Sequence, residues 1–352
     1  SLTMREITFR ESILEATDYC MSADPEVHLM GLGVPDPKGI FGTTLGLSEK
    51  FGNERVLDTP TSENGMTGIA LGASMMGMRP VITHQRVEFS LLAIEQIVNQ
   101  AAKWHYMTGG AMCAPLVIRM IIGRGWGQGP QHSQSLESWF AHIPGLKVVL
   151  PSTPYDAKGL LISSIKDNNP VIFMEHRWLH ETFGDVPQNA YEIPIGKAKV
   201  ARKGTDITLV TYSYMTLEAL RCANILSEYG ISVEVIDLRS LRPLDETTIL
   251  NSVKKTGRLL VADTGWSKFG VSSEIITIVT QNLFTSLKSK PERVGIKDTP
   301  IPSTRSLANL VYPSFKEMID CINTIMKTSI KIADEDIPII MDVPDKNFTG
   351  PF

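Results

Sequence analysis

Residues 55–84 read Arg55-Val-Leu-Asp-Thr-Pro-Thr-Ser-Glu-Asn-Gly-Met-Thr-Gly-Ile-Ala-Leu-Gly-Ala-Ser-Met-Met-Gly-Met-Arg-Pro-Val-Ile-Thr-His84. A short apolar run (Arg55–Leu57), a turn, a helical stretch (Glu63–Met76) and a second apolar run (Pro80–His84) make one strand-helix-strand unit. Parallel strands need a crossover of this kind, whereas antiparallel strands close through a tight turn.

The same rhythm extends in both directions. Strands are expected at Val27–Met30, Pro115–Ile121, Leu146–Leu150 and Val171–Met174, with helices at Glu88–Tyr106 and Pro154–Asp167. This pattern predicts an α/β fold whose parallel sheet is covered by helices on both faces. Residues 176–204 lose the rhythm and carry Pro187, Pro194, Gly196 and Gly204, which marks a connection. A second, smaller doubly wound series follows. Its strands are Asp206–Tyr212, Ser232–Asp237, Arg258–Ala262 and Arg293–Gly295, and its helices Met215–Tyr229, Asp245–Thr256, Gly270–Phe284 and Ser314–Met326. Residues 329–352 read as an extended tail. A length of 352 residues suits two such domains.

Basic side chains number 34 against 38 acidic ones, so no charge excess points to nucleic acid or a membrane surface. Cys20, Cys113, Cys222 and Cys321 form no CxxC pair and lie in apolar or amphipathic segments, which fits a reducing compartment. No apolar signal core opens the chain and no apolar run is long enough to span a bilayer. Bacterial cytoplasm and mitochondrial matrix both stay open, with cytoplasm preferred.

Ligands of doubly wound sheets gather beyond the carboxyl ends of the strands. That rule selects Glu63 after the second strand, His84 after the third, and the loop containing His132 after the fourth. Each residue also has a plainer role open to it. Glu63 suits a helix N-terminus with Ser62 as cap, and His132 suits a structured loop. His176 and His180 stand four apart, but without HExxH or a third ligand they do not read as zinc ligands. The glycine-rich run Gly123–Gly129 lacks the lysine or carboxylate of a phosphate loop, and no GxGxxG or Walker pattern occurs. A diphosphate cofactor would need another chain to hold that end.

Several strings taken together identify a family. Lys50-Phe-Gly-Asn-Glu-Arg-Val-Leu-Asp-Thr-Pro60, Ser62-Glu-Asn-Gly65, Gly77-Met-Arg-Pro80, Tyr106-Met-Thr-Gly-Gly110, Gln131-His-Ser-Gln134 and Pro144-Gly-Leu-Lys-Val-Val149 resemble the β subunit of thiamine-diphosphate-dependent pyruvate and branched-chain 2-oxo acid dehydrogenases. Pro194-Ile-Gly-Lys-Ala198, Val235-Ile-Asp-Leu-Arg239 and Arg242-Pro-Leu-Asp245 continue the likeness, which runs from about residue 5 to 327.

The resemblance implies a transketolase-like pyrimidine-binding domain (1–185), a linker (186–204), a transketolase C-terminal domain (205–328) and the tail. It implies an α2β2 assembly, with β2 self-association, in which the α chain holds the diphosphate and Mg2+ and a lipoyl-bearing acyltransferase core accepts the product. Glu63 then bonds N1′ of the aminopyrimidine and shares its proton, for which a partly desolvated carboxyl of raised pKa is suited. Phe89 stacks on that ring and Gln85 lies beside it. His132 assists acyl transfer. Oxygens around Leu116, Ser164, Asp167 and Asn169 hold a structural K+.

Three strings depart from the family pattern. Gly31-Leu-Gly-Val34 replaces a loop with two acidic residues, His84-Gln-Arg86 replaces an apolar stretch, and Arg119-Met-Ile-Ile-Gly-Arg-Gly125 replaces Arg-Gly-Pro-x-Gly. His84 and Arg86 are expected to bring donors or positive charge to the substrate, favouring a polar or phosphorylated one. The leading reading is the β subunit of a lipoyl-acylating 2-oxo acid dehydrogenase of pyruvate type. A two-chain carboligase without a lipoyl partner is the alternative, and a silent scaffold subunit the third reading.

Overall fold

The computed structural model describes residues 3–337; most of the expected tail lies outside them. Strand β1 (Met4–Thr8) leads into helix α1 (Phe9–Ala23), whose start is a capping box: Glu11 N–H bonds Thr8 Oγ1, and Thr8 N–H bonds Glu11 Oε2. Then come β2 (Val27–Gly31), α2 (Leu47–Phe51), β3 (Val56–Asp58), α3 (Glu63–Met75) and β4 (Arg79–His84). The long helix expected at 88–106 is broken: α4 (Val87–Ser90) passes through a 3-10 turn and a π-helical stretch (Glu95–Ala101) into α5 (Ala102–Met107). Next follow β5 (Val117–Ile122), α6 (Glu137–Ala141), β6 (Lys147–Val149), α7 (Pro154–Lys166), β7 (Val171–His176) and β8 (Phe183–Pro187).

The second series is β9 (Lys199–Arg202), β10 (Ile207–Thr211), α8 (Tyr214–Glu228), β11 (Val233–Asp237), β12 (Ser240–Arg242), α9 (Glu246–Thr256), β13 (Leu259–Trp266), α10 (Val271–Leu283), β14 (Glu292–Ile296), α11 (Arg305–Val311) and α12 (Phe315–Met326). A seven-stranded sheet has the order β12-β6-β7-β5-β4-β2-β3 and a five-stranded sheet the order β14-β13-β10-β11-β9. Every pairing within them is parallel except those of the edge strands β12 and β9.

Two details add to the sequence reading. Residues 183–187, which straddle the expected boundary between the first domain (1–185) and the linker (186–204), pair antiparallel with β1. Ser240–Arg242, from the second series, adds an edge strand to the first sheet. Its backbone therefore continues across the seam between the two units.

Phe9, Ile13 and Ala16 of α1 and Leu160 and Leu161 of α7 cover one face of the large sheet. Ala70, Ile97 and Phe140 lie on the other, in a core that runs on to Val210 and Ile236 of the smaller sheet. Each such Leu, Ile or Phe contributes about 1.5–3 kcal/mol by leaving water. All four cysteines are unpaired. Among the described residues no helix is long and apolar enough to cross a membrane.

Candidate active site

The parallel order places the carboxyl ends of β3, β2, β4 and β5 side by side on one sheet edge. Their loops are stitched together. Gly33 N–H donates to Asp58 Oδ1 (3.0 Å), Gln85 Nε2 to Leu32 O (2.8 Å) and Arg86 Nη2 to Gly123 O (2.6 Å). Thr67, one turn along α3 from Glu63, meets His84 Nε2 at 3.4 Å.

Glu63 is the first residue of α3 and half-buried. Ser62 stands at the cap but its side chain makes no cap hydrogen bond. The Glu63 carboxylate thus sits at the positive end of the helix, as expected, while Ser62 occupies the cap position without making the capping bond.

Phe89 and His132 come together. Their ring centroids lie 5.7 Å apart at an interplanar angle of 72°, an edge-to-face contact between two half-buried rings. His132 belongs to a loop whose neck is closed by Gly123 N–H donating to Gln134 O (3.0 Å). Glu88 Oε2 accepts Gln134 N–H (2.9 Å) from the side of α4. Gly123 has φ +84°, and a Cβ there would lie 2.1 Å from His176 Nε2, so backbone and packing both require glycine.

His84 and Arg86, expected near the substrate, are both buried side chains. His84 is buried, and burial lowers its imidazole to about 4, so it is neutral at pH 7. Arg86 is buried beneath the loop, bonded to Gly123 O, with Nε 3.8 Å from Glu88 Oε1. In this conformation neither side chain brings charge into open space. A polar cavity of about 250 Å³ beside Ser133 is lined instead by Arg124, Gln128, Ser303, Arg305 and Tyr312.

His176 and His180 are structural. They lie at the end of β7 and after a 3-10 turn, not along one helix face. His176 Nδ1 accepts Trp178 N–H, and its ring stacks on Tyr214. His180 Nε2 meets Glu175 Oε1 at 3.0 Å, and Arg119 grips the same carboxylate bidentately at 2.6 and 2.7 Å. Burial pushes Glu175 up, but Arg119 outweighs it and holds the carboxyl at about 2. Sequence reasoning missed this buried pair, because Arg119 stands within an apolar strand.

At the expected cation site, Leu116 O accepts Val171 N–H (3.0 Å), Ser164 O accepts Asp167 N–H (3.2 Å) and Asp167 O accepts Arg79 Nη1 (3.1 Å). Asn169 Oδ1 is buried without a partner. The Asp167 carboxylate pairs with Lys147. Among the described residues, no cluster of three or more His, Cys, Asp or Glu side chains stands ready for a metal.

Residues 5–181 match the transketolase pyrimidine-binding domain and residues 196–318 the transketolase C-terminal domain. The chain is 43% identical over 323 residues to the mitochondrial pyruvate dehydrogenase E1 component subunit beta-2 of Oryza sativa subsp. japonica, covering 91% of this chain and 86% of that one. It is 41% identical to the pyruvate dehydrogenase E1 component subunit beta of Rickettsia felis, covering 92% and 100%. The chain belongs to this β-subunit family.

The family also includes the acetoin:2,6-dichlorophenolindophenol oxidoreductase subunit beta of Cupriavidus necator, 43% identical to this β subunit over 92% of it and 98% of the relative. A solved chain titled "Split gene transketolase, inactive beta4 tetramer" shares the fold, with a TM-score of 0.75 at 19% identity over 91% of this chain and 98% of that one. The β subunit is thus a component of a thiamine-diphosphate-dependent 2-oxo acid dehydrogenase built on a transketolase-like fold.

Proposed function

We propose that this β subunit supplies the aminopyrimidine half of a pyruvate-decarboxylating active site and hands the acyl group to a lipoyl carrier. The observation that supports the reading is that Glu63, Phe89 and His132 all follow the carboxyl ends of strands in one sheet, with Phe89 and His132 in edge-to-face contact. When bound, thiamine diphosphate supplies the nucleophilic carbon and electron sink for the decarboxylation. Glu63 presents a carboxylate that holds a proton at the ring nitrogen N1′, and Phe89 offers an apolar wall to the ring. Gln85 fixes the β2 loop beside them through Leu32 O. His132 donates or accepts a proton at the substrate oxygen and at the lipoyl sulfur.

The diphosphate and Mg2+ ends are assigned to an α subunit in an α2β2 assembly. An apolar groove of about 910 Å³, where Trp139 and Phe269 stand exposed, supports a β–β contact there. The Leu116, Ser164, Asp167 and Asn169 oxygens suit a monovalent cation, since each carbonyl keeps a second lone pair. Melting the chain in matched KCl and NaCl tests that assignment. The unpaired cysteines fit a reducing compartment, and we favour cytoplasm.

The carboligase alternative is the weaker reading, because the named relatives above are dehydrogenase and oxidoreductase subunits, while the transketolase likeness concerns fold alone. Turnover of the reconstituted α/β pair with pyruvate, acetoin and a lipoyl acceptor decides among these. Pyruvate-dependent lipoyl acylation supports the proposal; carbon–carbon bond formation without lipoyl contradicts it.

A further inference from the structure

Three side chains on one short segment, residues 86–89, all engage the loop that carries His132. Arg86 Nη2 donates to Gly123 O at 2.6 Å, Glu88 Oε2 accepts Gln134 N–H at 2.9 Å, and the Phe89 ring lies edge-on to His132. Gly123 and Gln134 are themselves bonded to each other. They form the neck of the loop, and His132 stands two residues inside it.

The two charged residues face each other as well as the loop. Arg86 Nε lies 3.8 Å from Glu88 Oε1, outside hydrogen-bonding range, with both side chains almost wholly buried. Arg86 Nε, Arg86 Nη1 and Glu88 Oε1 are buried without a hydrogen-bond partner. A buried ion pair with unsatisfied atoms is poor value as a stabiliser, because desolvation offsets most of its attraction. Its hold on the loop lies in the two bonds to the neck: Arg86 fixes the Gly123 carbonyl and Glu88 the Gln134 amide, while their opposite charges keep the two side chains facing each other.

We infer that Arg86 and Glu88 are positioning residues for His132, an ionic clamp that holds the neck of its loop from beneath. The clamp acts through the backbone at Gly123 and Gln134 and touches neither substrate nor cofactor. This rests on the reading of His132 as the acyl-transfer group. Burial pushes the Glu88 carboxyl up, while Arg86, Gln134 N–H and His132 draw it back down. The same burial lowers the Arg86 guanidinium.

Glu88→Gln keeps an acceptor for Gln134 N–H but leaves Arg86 without its counter-charge, and Arg86→Met removes the tie to Gly123. Arg86→Lys retains charge and a donor. Lipoyl acylation by the α/β pair is expected to fall about 10–100-fold in Glu88→Gln and Arg86→Met, and Arg86→Lys to recover most of it. Pyruvate oxidation with an artificial electron acceptor, which bypasses acyl transfer, is expected to stay within about twofold, well under a tenfold change in barrier terms.

A second readout needs no partner or cofactor. In the full chain labelled at histidine, the His132 ring gives one sharp NMR signal in the wild type and a broadened or split one in Arg86→Met, with His84 and His180 unmoved. Equal loss of both activities, unchanged lipoyl acylation, or an unmoved His132 signal overturns the clamp. Failure of the wild-type pair to bind thiamine diphosphate overturns the proposed function instead, and the NMR comparison still decides the clamp.

Discussion

The Phe89 ring meets the His132 ring edge to face, centroids 5.7 Å apart, although 43 positions separate them in the chain (132 − 89). The contact joins the loop after β4 to the loop after β5, strands that are hydrogen-bonded neighbours. An aromatic ring and an imidazole thereby meet at the ends of two neighbouring strands.

If His132 serves acyl transfer, its loss separates the two half-reactions. His132→Ala is expected to lower lipoyl acylation by about 10²–10⁴-fold and leave thiamine diphosphate affinity close to that of the wild type. Stopped-flow reduction of an artificial acceptor, set beside lipoyl acylation in the same preparation, measures the split.

Gly123 allows no side chain. Its φ of +84° disfavours any L residue, and a Cβ would stand 2.1 Å from His176 Nε2. Gly123→Ala should cost about 2–4 kcal/mol from backbone strain and overpacking, read as a lower urea midpoint. A variant as stable as the wild type would show that the loop relaxes away from His176.

Removing Arg119 leaves Glu175 buried and without the partner that holds it at about 2. Arg119→Met is expected to destabilise the chain by about 3–5 kcal/mol, a larger effect than breaking the exposed Lys268–Asp298 pair. Chemical denaturation of the two variants side by side makes the comparison.

The seam between the sheets predicts a pH dependence. Tyr212 donates to Glu137 Oε1 (2.7 Å) and stands 3.2 Å from Asp263 Oδ1, all three buried. Burial, with the nearby Glu137 charge, lifts Asp263 from 3.8 to about 7, against hydrogen bonds from Ser272 and Tyr212. An acid with a raised folded pKa holds its proton more tightly folded than unfolded. Its stabilising contribution is therefore present at low pH and is lost as pH rises from about 4 to about 7. Asp263→Asn should flatten the fall in melting temperature across that window. It should not abolish it, because burial and Asp156 also raise Asp237 to about 7.

Much of this architecture was legible in the chain. The 55–84 unit appears as β3, α3 and β4 close to the expected bounds; β4 is buried almost throughout and reads as an apolar run, while β3 is a short edge strand only partly buried. Helix α1 was missed although Thr8 and Glu11 form its capping box. The break of the 88–106 helix into 3-10 and π turns left no mark in its apolar spacing. Among the candidate site residues, Glu63 and His132 stand out in the sequence by their position at strand ends. Glu88 did not, because a glutamate in an amphipathic stretch looks like a solvated face until Gln134 N–H is found against it. The burial of Arg86 is a tertiary property that local sequence does not carry.

The proposed cofactor site is completed by a second chain, with Glu63 proposed as the group that activates the cofactor. Calorimetric titration of thiamine diphosphate and Mg2+ into this chain alone, into the reconstituted α/β pair, and into the pair carrying Glu63→Gln tests it most directly, followed by turnover with pyruvate. Binding by the pair but not by the chain alone, with turnover lowered about 10²–10⁴-fold in Glu63→Gln, is the predicted result. Tight binding by the chain alone, or full turnover in the Glu63→Gln pair, would contradict it.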